Sequence, residues 1–248
     1  MSKDLSRFIL FDFDGVLVDS AFEMMLPAYN AVTGAEVRGH EQLPKGYAES
    51  FMLNRPHMRP AGDAIPLAKL SLGLSEPKQL NDEEWSARIA MDKAPVEARG
   101  EQLFSARRRI MADDKRRWLE FNRPYSIIWK ALQTQPERVI ILTNKNRMAV
   151  EELTSYFGLQ IPAERIFTGD GGVTKQQNLK LIEERFGASR YLFLEDSLEN
   201  LIEVYAAAPQ MIYPVLASWG YLRKSDAERA CGLGIEVSSQ EQFVEKYL

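Results

Sequence analysis

The stretch Arg7-Phe8-Ile9-Leu10-Phe11-Asp12-Phe13-Asp14-Gly15 sets an apolar run against two aspartates and a glycine. A run this short, aliphatic and aromatic, reads as a buried strand rather than a helix. An ionised carboxylate inside such a run is costly unless something compensates it. Asp12 is therefore the anomaly that opens the reading. On an extended chain Asp14 projects on the same face as Asp12, ~7 Å along the strand. Two carboxylates held close raise each other's proton affinity unless a cation intervenes. Such a pair suits a metal site, or a division into nucleophile and acid; a turn or cap pair is the structural alternative.

Four more short apolar runs follow: Arg138–Leu142, Arg165–Thr168, Tyr191–Leu194 and Met211–Ala217. The last contains Pro214, which points it towards a sheet edge. Helical patterns separate them, over Met148–Phe157, Lys175–Phe186 and Leu198–Ala207, with Gly158 and Gly187 placed as C-terminal stops. Buried strands alternating with helices predict an α/β fold, a Rossmann-like parallel sheet covered on both faces. From about Ser20 to Tyr125 the rhythm changes, with no convincing buried strand. Leu103/Phe104, Ile110/Met111 and Trp118 recur about every seven residues, the stripe of one long amphipathic helix limited by Pro124. This predicts a core built from residues 1–19 and 126–248, interrupted by a helical insertion over 20–125.

In open parallel sheets, ligands bind beyond the carboxyl ends of the strands. The runs end in Asp12-Phe13-Asp14-Gly15, in Thr143-Asn144-Lys145, in a Gly-rich loop leading to Lys175, and in Glu195-Asp196. Asp196 or Ser197 could cap the next helix, but beside Asp12 and Asp14 they make a cluster of hard oxygen donors. With no Cys or His nearby in sequence, that donor set fits Mg²⁺ better than Zn²⁺. Thr143 reads equally as a helix cap and as a donor to a substrate oxygen. Thr174-Lys175-Gln176-Gln177 fits a capping box with Thr174 as N-cap. Lys175 then falls in the first helical turn, where the dipole disfavours a cation unless an anion sits between.

Composition narrows the field. The 248 residues carry 31 Lys+Arg against 35 Asp+Glu, a net charge of −4, with 45% hydrophobic residues, as in a soluble globular protein. That balance gives no whole-molecule attraction to nucleic acid or to an anionic membrane. The single cysteine, Cys231, forms no internal disulfide, which suits a reducing compartment, and the two histidines exclude a three-histidine metal site. Behind Lys3 and Arg7 the run Phe8–Phe11 is too short for a secretory leader. The uncharged stretch Val204–Leu222 holds Pro209, Pro214 and Gly220, and reads as a helix end, a loop and a strand rather than a membrane span. A cytoplasmic location is expected. No G-x-S-x-G elbow and no nucleotide-binding glycine loop occurs.

Taken together, these residues resemble the haloacid dehalogenase superfamily of phosphotransferases. Its first motif stands here as Asp12-Phe13-Asp14-Gly15-Val16-Leu17-Val18-Asp19-Ser20, its second as Thr143, its third as Lys175 and its fourth as Glu195-Asp196-Ser197. Thr143-Asn144-Lys145 and Ser218-Trp219-Gly220-Tyr221 are similar to the phosphoglycolate phosphatase branch. Two departures stand against that branch. Gln176 occupies a position usually held by proline, and Glu195 with Asn200 comes nearer to the wording of the β-phosphoglucomutase-like enzymes, which have glycine at position 200. The resemblance implies a Mg²⁺-dependent phosphomonoester hydrolase acting on a small phosphorylated metabolite, with a phosphosugar mutase as the alternative and a catalytically silent binding protein as a more distant one. It implies that Asp12 is the nucleophile that forms an aspartyl-phosphate and that Asp14 is the acid and base. It further implies that Thr143, Asn144 and Lys175 bind substrate, Thr143 and Lys175 as a catalytic clamp. Asp12, Asp14 (through its carbonyl), Asp196 and Glu195 would hold the metal. The insertion would be a cap that reads the leaving group, with His57, Arg55, Arg59 and Arg107 as candidate readers.

Overall fold

A computed structural model describes residues 5–187 and 189–248; Lys3, weighed above against a leader, lies outside them. The chain divides into two compact units, Met1–Asp19 with Arg123–Leu248, and Ser20–Asn122. In chain order, β1 (Leu5–Phe11) and β2 (Val18–Asp19) lead into six helices. These are α1 (Ala21–Thr33), α2 (Tyr47–Asn54), α3 (Ala64–Gly73), α4 (Asp82–Met91), α5 (Val96–Asp113) and α6 (Lys115–Glu120). The chain returns through β3 (Arg123–Pro124), α7 (Ser126–Thr134), β4 (Val139–Leu142), α8 (Arg147–Tyr156), β5 (Ile166–Phe167) and α9 (Lys175–Phe186). It ends with β6 (Arg190–Glu195), α10 (Leu198–Ala207), β7 (Ile212–Ala217), α11 (Asp226–Gly232), β8 (Glu236–Ser238) and α12 (Gln240–Tyr247).

In the first unit, six strands form one sheet in the order β5-β4-β1-β6-β7-β8, and every pairing in it is parallel. Side chains alternate along β1 as the apolar run requires. Phe8 and Leu10 join Ile140, Phe193, Leu179 and Leu201 in a cluster with α9 and α10, whereas the Phe11 ring meets Phe243 of α12 edge-on at 5.9 Å. Both faces are thus covered, and the α/β fold is the one the sequence predicts. The order of strands reverses around β1: the chain builds outward through β4 and β5, then crosses back to β6. The carboxyl end of β1 therefore opens at the crevice where such sheets bind ligands.

The structure departs from the sequence reading at particular places. β1 stops at Phe11, so Asp12 starts a turn rather than lying inside a strand, and the two-residue alternation does not relate Asp12 to Asp14. The turn is closed by Gly15 N–H on the Val18 carbonyl (2.8 Å) and Val18 N–H on the Phe13 carbonyl (3.0 Å). β7 is not an edge strand: β8, unforeseen because only three residues long, lies outside it. Pro214 is tolerated there because the β8 ladder starts one residue later, at Val215 opposite Glu236, so the missing N–H breaks no rung of that ladder.

The second unit is helical. Tyr47, Phe51, Leu67 and Leu103 are among its buried core. The predicted long helix is two helices, because Asp114 turns extended (φ −151°) and its carboxylate caps α6 by accepting from Arg117 N–H at 2.9 Å. Charged side chains are buried here too, in matched pairs. Arg107 grips Glu23, which also accepts from Trp118 Nε1 at 3.0 Å, and Arg99 faces Asp63 at 3.4 Å. Among the described residues no helix is long and apolar enough to cross a membrane.

Candidate active site

Three strand ends and one helix start deliver the site residues. Asp12 follows β1 and keeps the sheet's direction, its N–H donating to the Leu194 carbonyl of β6 at 2.9 Å. Glu195 closes β6 and Asp196 follows it. Thr143 follows β4, which neighbours β1 with Phe11 in register with Ile141, so it emerges at the same sheet edge. Lys175 is the first residue of α9, behind the capping box formed by Thr174 and Gln177.

Lys175 is where the arrangement converges. Its Nζ lies 2.8 Å from Asp12 Oδ1 and 2.5 Å from Glu195 Oε2. The anion that the helix dipole calls for is thus supplied by two carboxylates of the protein itself. Asp12, Glu195 and Asp196 are all buried, with one oxygen of each within 4.8 Å of the others. Glu195 spends its second oxygen, Oε1, on the Ser197 N–H at 3.0 Å, while Ser197 caps α10. Asp196 Oδ2 accepts from the Tyr221 N–H at 2.7 Å. Two glycines make room for it: a Cβ on Gly15 would lie 2.0 Å from Asp196 Oδ2, and one on Gly220 would lie 2.3 Å from Asp196 Cβ. Gly15 also has φ +82°, a conformation that side-chain-bearing residues seldom adopt.

Electrostatics set this cluster apart. Burial, then the neighbouring Glu195 charge, pushes the Asp12 carboxyl up to about 7, against the pull of Lys175. Burial likewise raises Glu195. Burial disfavours the charged ammonium of Lys175, yet Asp12 and Glu195 outweigh that and hold it protonated above its usual range. Negative charge is therefore in excess of what the one lysine can match. An all-oxygen set of three buried carboxylates, with no His or Cys in it, fits a hard divalent cation such as Mg²⁺.

Other assignments fall out unevenly. Asp14 adds its charge to those that raise the Asp12 carboxyl, and its Oδ1 accepts from Lys145 Nζ at 2.9 Å. Thr143 is buried, donates its N–H to the Phe167 carbonyl at 3.0 Å and accepts from Lys145 N–H on Oγ1 at 3.2 Å. It is not the α8 cap, because Asn146 accepts from Ala149 N–H at 2.8 Å. Asn144, next to Thr143, is exposed. Lys145 gains its part through Asp14, 131 positions away; a lysine one turn past a buried strand end carries no local signal of that. Tyr221 was missed similarly, although it too follows the carboxyl end of a strand, β7.

Inside the helical unit, two candidate readers have structural partners. His57 is buried, with Nε2 3.0 Å from the Leu80 carbonyl and its ring stacked on Trp85 at 5.6 Å. Arg107 is committed to Glu23. Arg55 is half-buried and Arg59 exposed.

No curated protein matches this chain in sequence. Solved structures do match in fold. A haloacid dehalogenase-like family hydrolase from Streptococcus pneumoniae superposes with a TM-score of 0.58 at 12% identity, covering 97% of each chain. A predicted phosphatase from Clostridium acetobutylicum gives 0.58 at 15% identity over 98% of each. A predicted phosphoglycolate phosphatase from Haemophilus somnus gives 0.55 at 17% identity, over 88% of this chain and 89% of that one. Identities this low speak for the fold alone. The sequence family described as haloacid dehalogenase-like hydrolase matches residues 7–204, which include Asp12, Asp14, Thr143, Lys175, Glu195 and Asp196. This chain belongs to the haloacid dehalogenase-like hydrolases.

Proposed function

We propose that this protein is a Mg²⁺-dependent phosphatase that hydrolyses the monoester of a small phosphorylated metabolite in the cytoplasm. The observation that carries the reading is the buried meeting of Asp12, Lys175, Glu195 and Asp196 at the carboxyl edge of the sheet. In this reading Asp12, Glu195 and Asp196, with the Asp14 carbonyl, hold the metal. Bound there, Mg²⁺ would supply positive charge against the nucleophile and the phosphoryl oxygens.

The chain's own groups divide the work. A carboxylate oxygen of Asp12 attacks phosphorus, forming an acyl phosphate as the bond to the ester oxygen breaks. Asp14, protonated, gives its proton to the leaving oxygen, then takes one from the water that attacks phosphorus and regenerates Asp12. Asp14 Oδ1 pairs with Lys145 Nζ at 2.9 Å, and that pair must loosen for Asp14 to carry the proton of the first step. Lys175 fixes Asp12 and, with the Thr143 hydroxyl and Asn144, binds the phosphoryl group. The helical unit acts as the cap that selects the leaving group.

The test is hydrolysis of an aryl phosphate, followed by a panel of small phosphometabolites scored for both phosphate release and mutase products. Activity is expected to vanish on exhaustive chelation and return with Mg²⁺. Asp12→Asn is expected to lower turnover by about 10³-fold or more while circular dichroism stays unchanged. A variant keeping above about a tenth of the rate, far outside the loss typical of a nucleophile, would reject the assignment.

A further inference from the structure

The loop after β7, Ser218-Trp219-Gly220-Tyr221, has no part in the chemistry above, yet it is fastened to the site at four points. Tyr221 N–H donates to Asp196 Oδ2 at 2.7 Å, and its phenol O–H donates to Asp19 Oδ1, also at 2.7 Å. Trp219 Nε1 donates to the Val16 carbonyl at 3.0 Å. Gly220 packs so closely that a Cβ there would come 2.5 Å from the Gly15 carbonyl oxygen as well as onto Asp196. The loop thus clasps the turn after β1 at Gly15, Val16 and Asp19.

One residue, Tyr221, holds two carboxylates with its two ends. Asp196 belongs to the buried cluster, whereas Asp19 is the last residue before the chain enters the helical unit, and it is paired in register with Arg123, the first on return. Outer partners of this kind fix the orientation of a metal-binding carboxylate and so set its affinity. The aromatic ring between the two bonds is rigid, so the phenol tether is one of the fastenings that fix where the backbone N–H of Tyr221 stands.

We propose that Tyr221 is a positioning residue, which aims the Asp196 carboxylate at the cation by tethering the loop after β7 to Asp19. The inference rests on the cation reading given above. Removing the hydroxyl leaves the N–H to Asp196 intact but lets the loop drift, so the loss should appear in metal affinity rather than in folding.

Direct titration of the full chain with Mn²⁺, followed by electron paramagnetic resonance in the absence of substrate, tests it. Tyr221→Phe is expected to weaken Mn²⁺ binding by about tenfold, the low end for outer partners of metal ligands. Asp19→Ala should do the same, and the double variant should lose no more than either alone, since both cut one bond. The melting temperature of chelated Tyr221→Phe should stay within about 4 °C of the parent. Parent and variants binding Mn²⁺ equally would overturn this inference alone. A double variant whose loss is the sum of the singles would also overturn it, because the two residues would then act separately. A parent that binds no Mn²⁺ would sink the cation reading, and this inference with it.

Discussion

Both units of the molecule bury charged side chains, but they balance them differently. In the helical unit each buried carboxylate has its own guanidinium: Glu23 has Arg107, and Asp63 has Arg99. At the carboxyl edge of the sheet, Asp12 and Glu195 share the ammonium of Lys175, with Asp196 beside them, while Asp14 pairs with Lys145. Two buried carboxylates on one ammonium leave a surplus of negative charge at that lysine. A matched buried pair is a packing device, costly to split and indifferent to solution conditions other than extremes. A surplus is a demand for a ligand of the opposite sign. Burial first, and then the Glu195 charge beside it, raises the Asp12 carboxyl to about 7.

Splitting the matched pair should have the largest effect on folding. Arg107→Met leaves Glu23 a buried carboxylate stripped of its guanidinium, and should cost about 3–5 kcal/mol in urea unfolding. Added Mg²⁺ should recover none of that loss. If it does, the balanced and unbalanced sites are not separate.

The surplus should answer to metal instead. A hundredfold excess of Mg²⁺ over its dissociation constant should stabilise the parent by about 2.7 kcal/mol, read as a rise in melting temperature. In chelator, Asp196→Asn should melt no lower than the parent, since one repelling charge is gone. In Mg²⁺ it should fall behind. Curves that stay parallel in the two conditions would contradict a cation at this carboxylate.

A smaller effect lies at Glu236, on β8, outside either kind of site. Burial works against its charge, but Lys246, Tyr247 and Tyr213 all donate to it and together hold its carboxyl below the ordinary value of 4.5. A folded-state value below the unfolded one means stability that is complete above the unfolded value and lost as pH falls through the folded one. The deficit of Glu236→Gln should therefore be constant around neutrality and shrink only on acidification below about 4.5, the ordinary value at which the unfolded carboxyl titrates. A deficit that grows in acid would reverse the sign.

What could be read beforehand follows from how local the cause is. The capping box at Thr174 and Gln177 is written within four residues, and the structure has it, with α9 over the predicted span. The runs at Arg138–Leu142 and Tyr191–Leu194 are buried on both faces, so they stand out as unbroken apolar letters, and both are strands. β8 and the β2/β3 pair are too short to carry a period. The break between α5 and α6 rests on one aspartate turning extended, a choice that the heptad stripe conceals. In the site, Asp12, Lys175, Glu195 and Asp196 were visible as charges out of place on apolar strands or at the wrong end of a helix, and the structure brings them together. Strand alternation is the wrong reason to pair Asp14 with Asp12, because the strand ends at Phe11; Asp14 still bears on Asp12 through its charge while its Oδ1 pairs with Lys145. Lys145 and Tyr221 gain their parts only through neighbours more than a hundred positions away or on another strand end.

The short ladder of β2 and β3 has one more consequence. Val18 opposes Pro124 and Asp19 opposes Arg123, so the two ends of a hundred-residue excursion are pinned side by side like the legs of a hairpin. The entropy of closing such a loop rises only slowly with its length, and the register of the main sheet does not depend on what the excursion contains. Trading residues 20–122 for a tight turn, or for another domain with adjacent termini, asks nothing new of the strands. That makes this junction the natural splice point for exchanging the inserted unit while keeping the sheet intact.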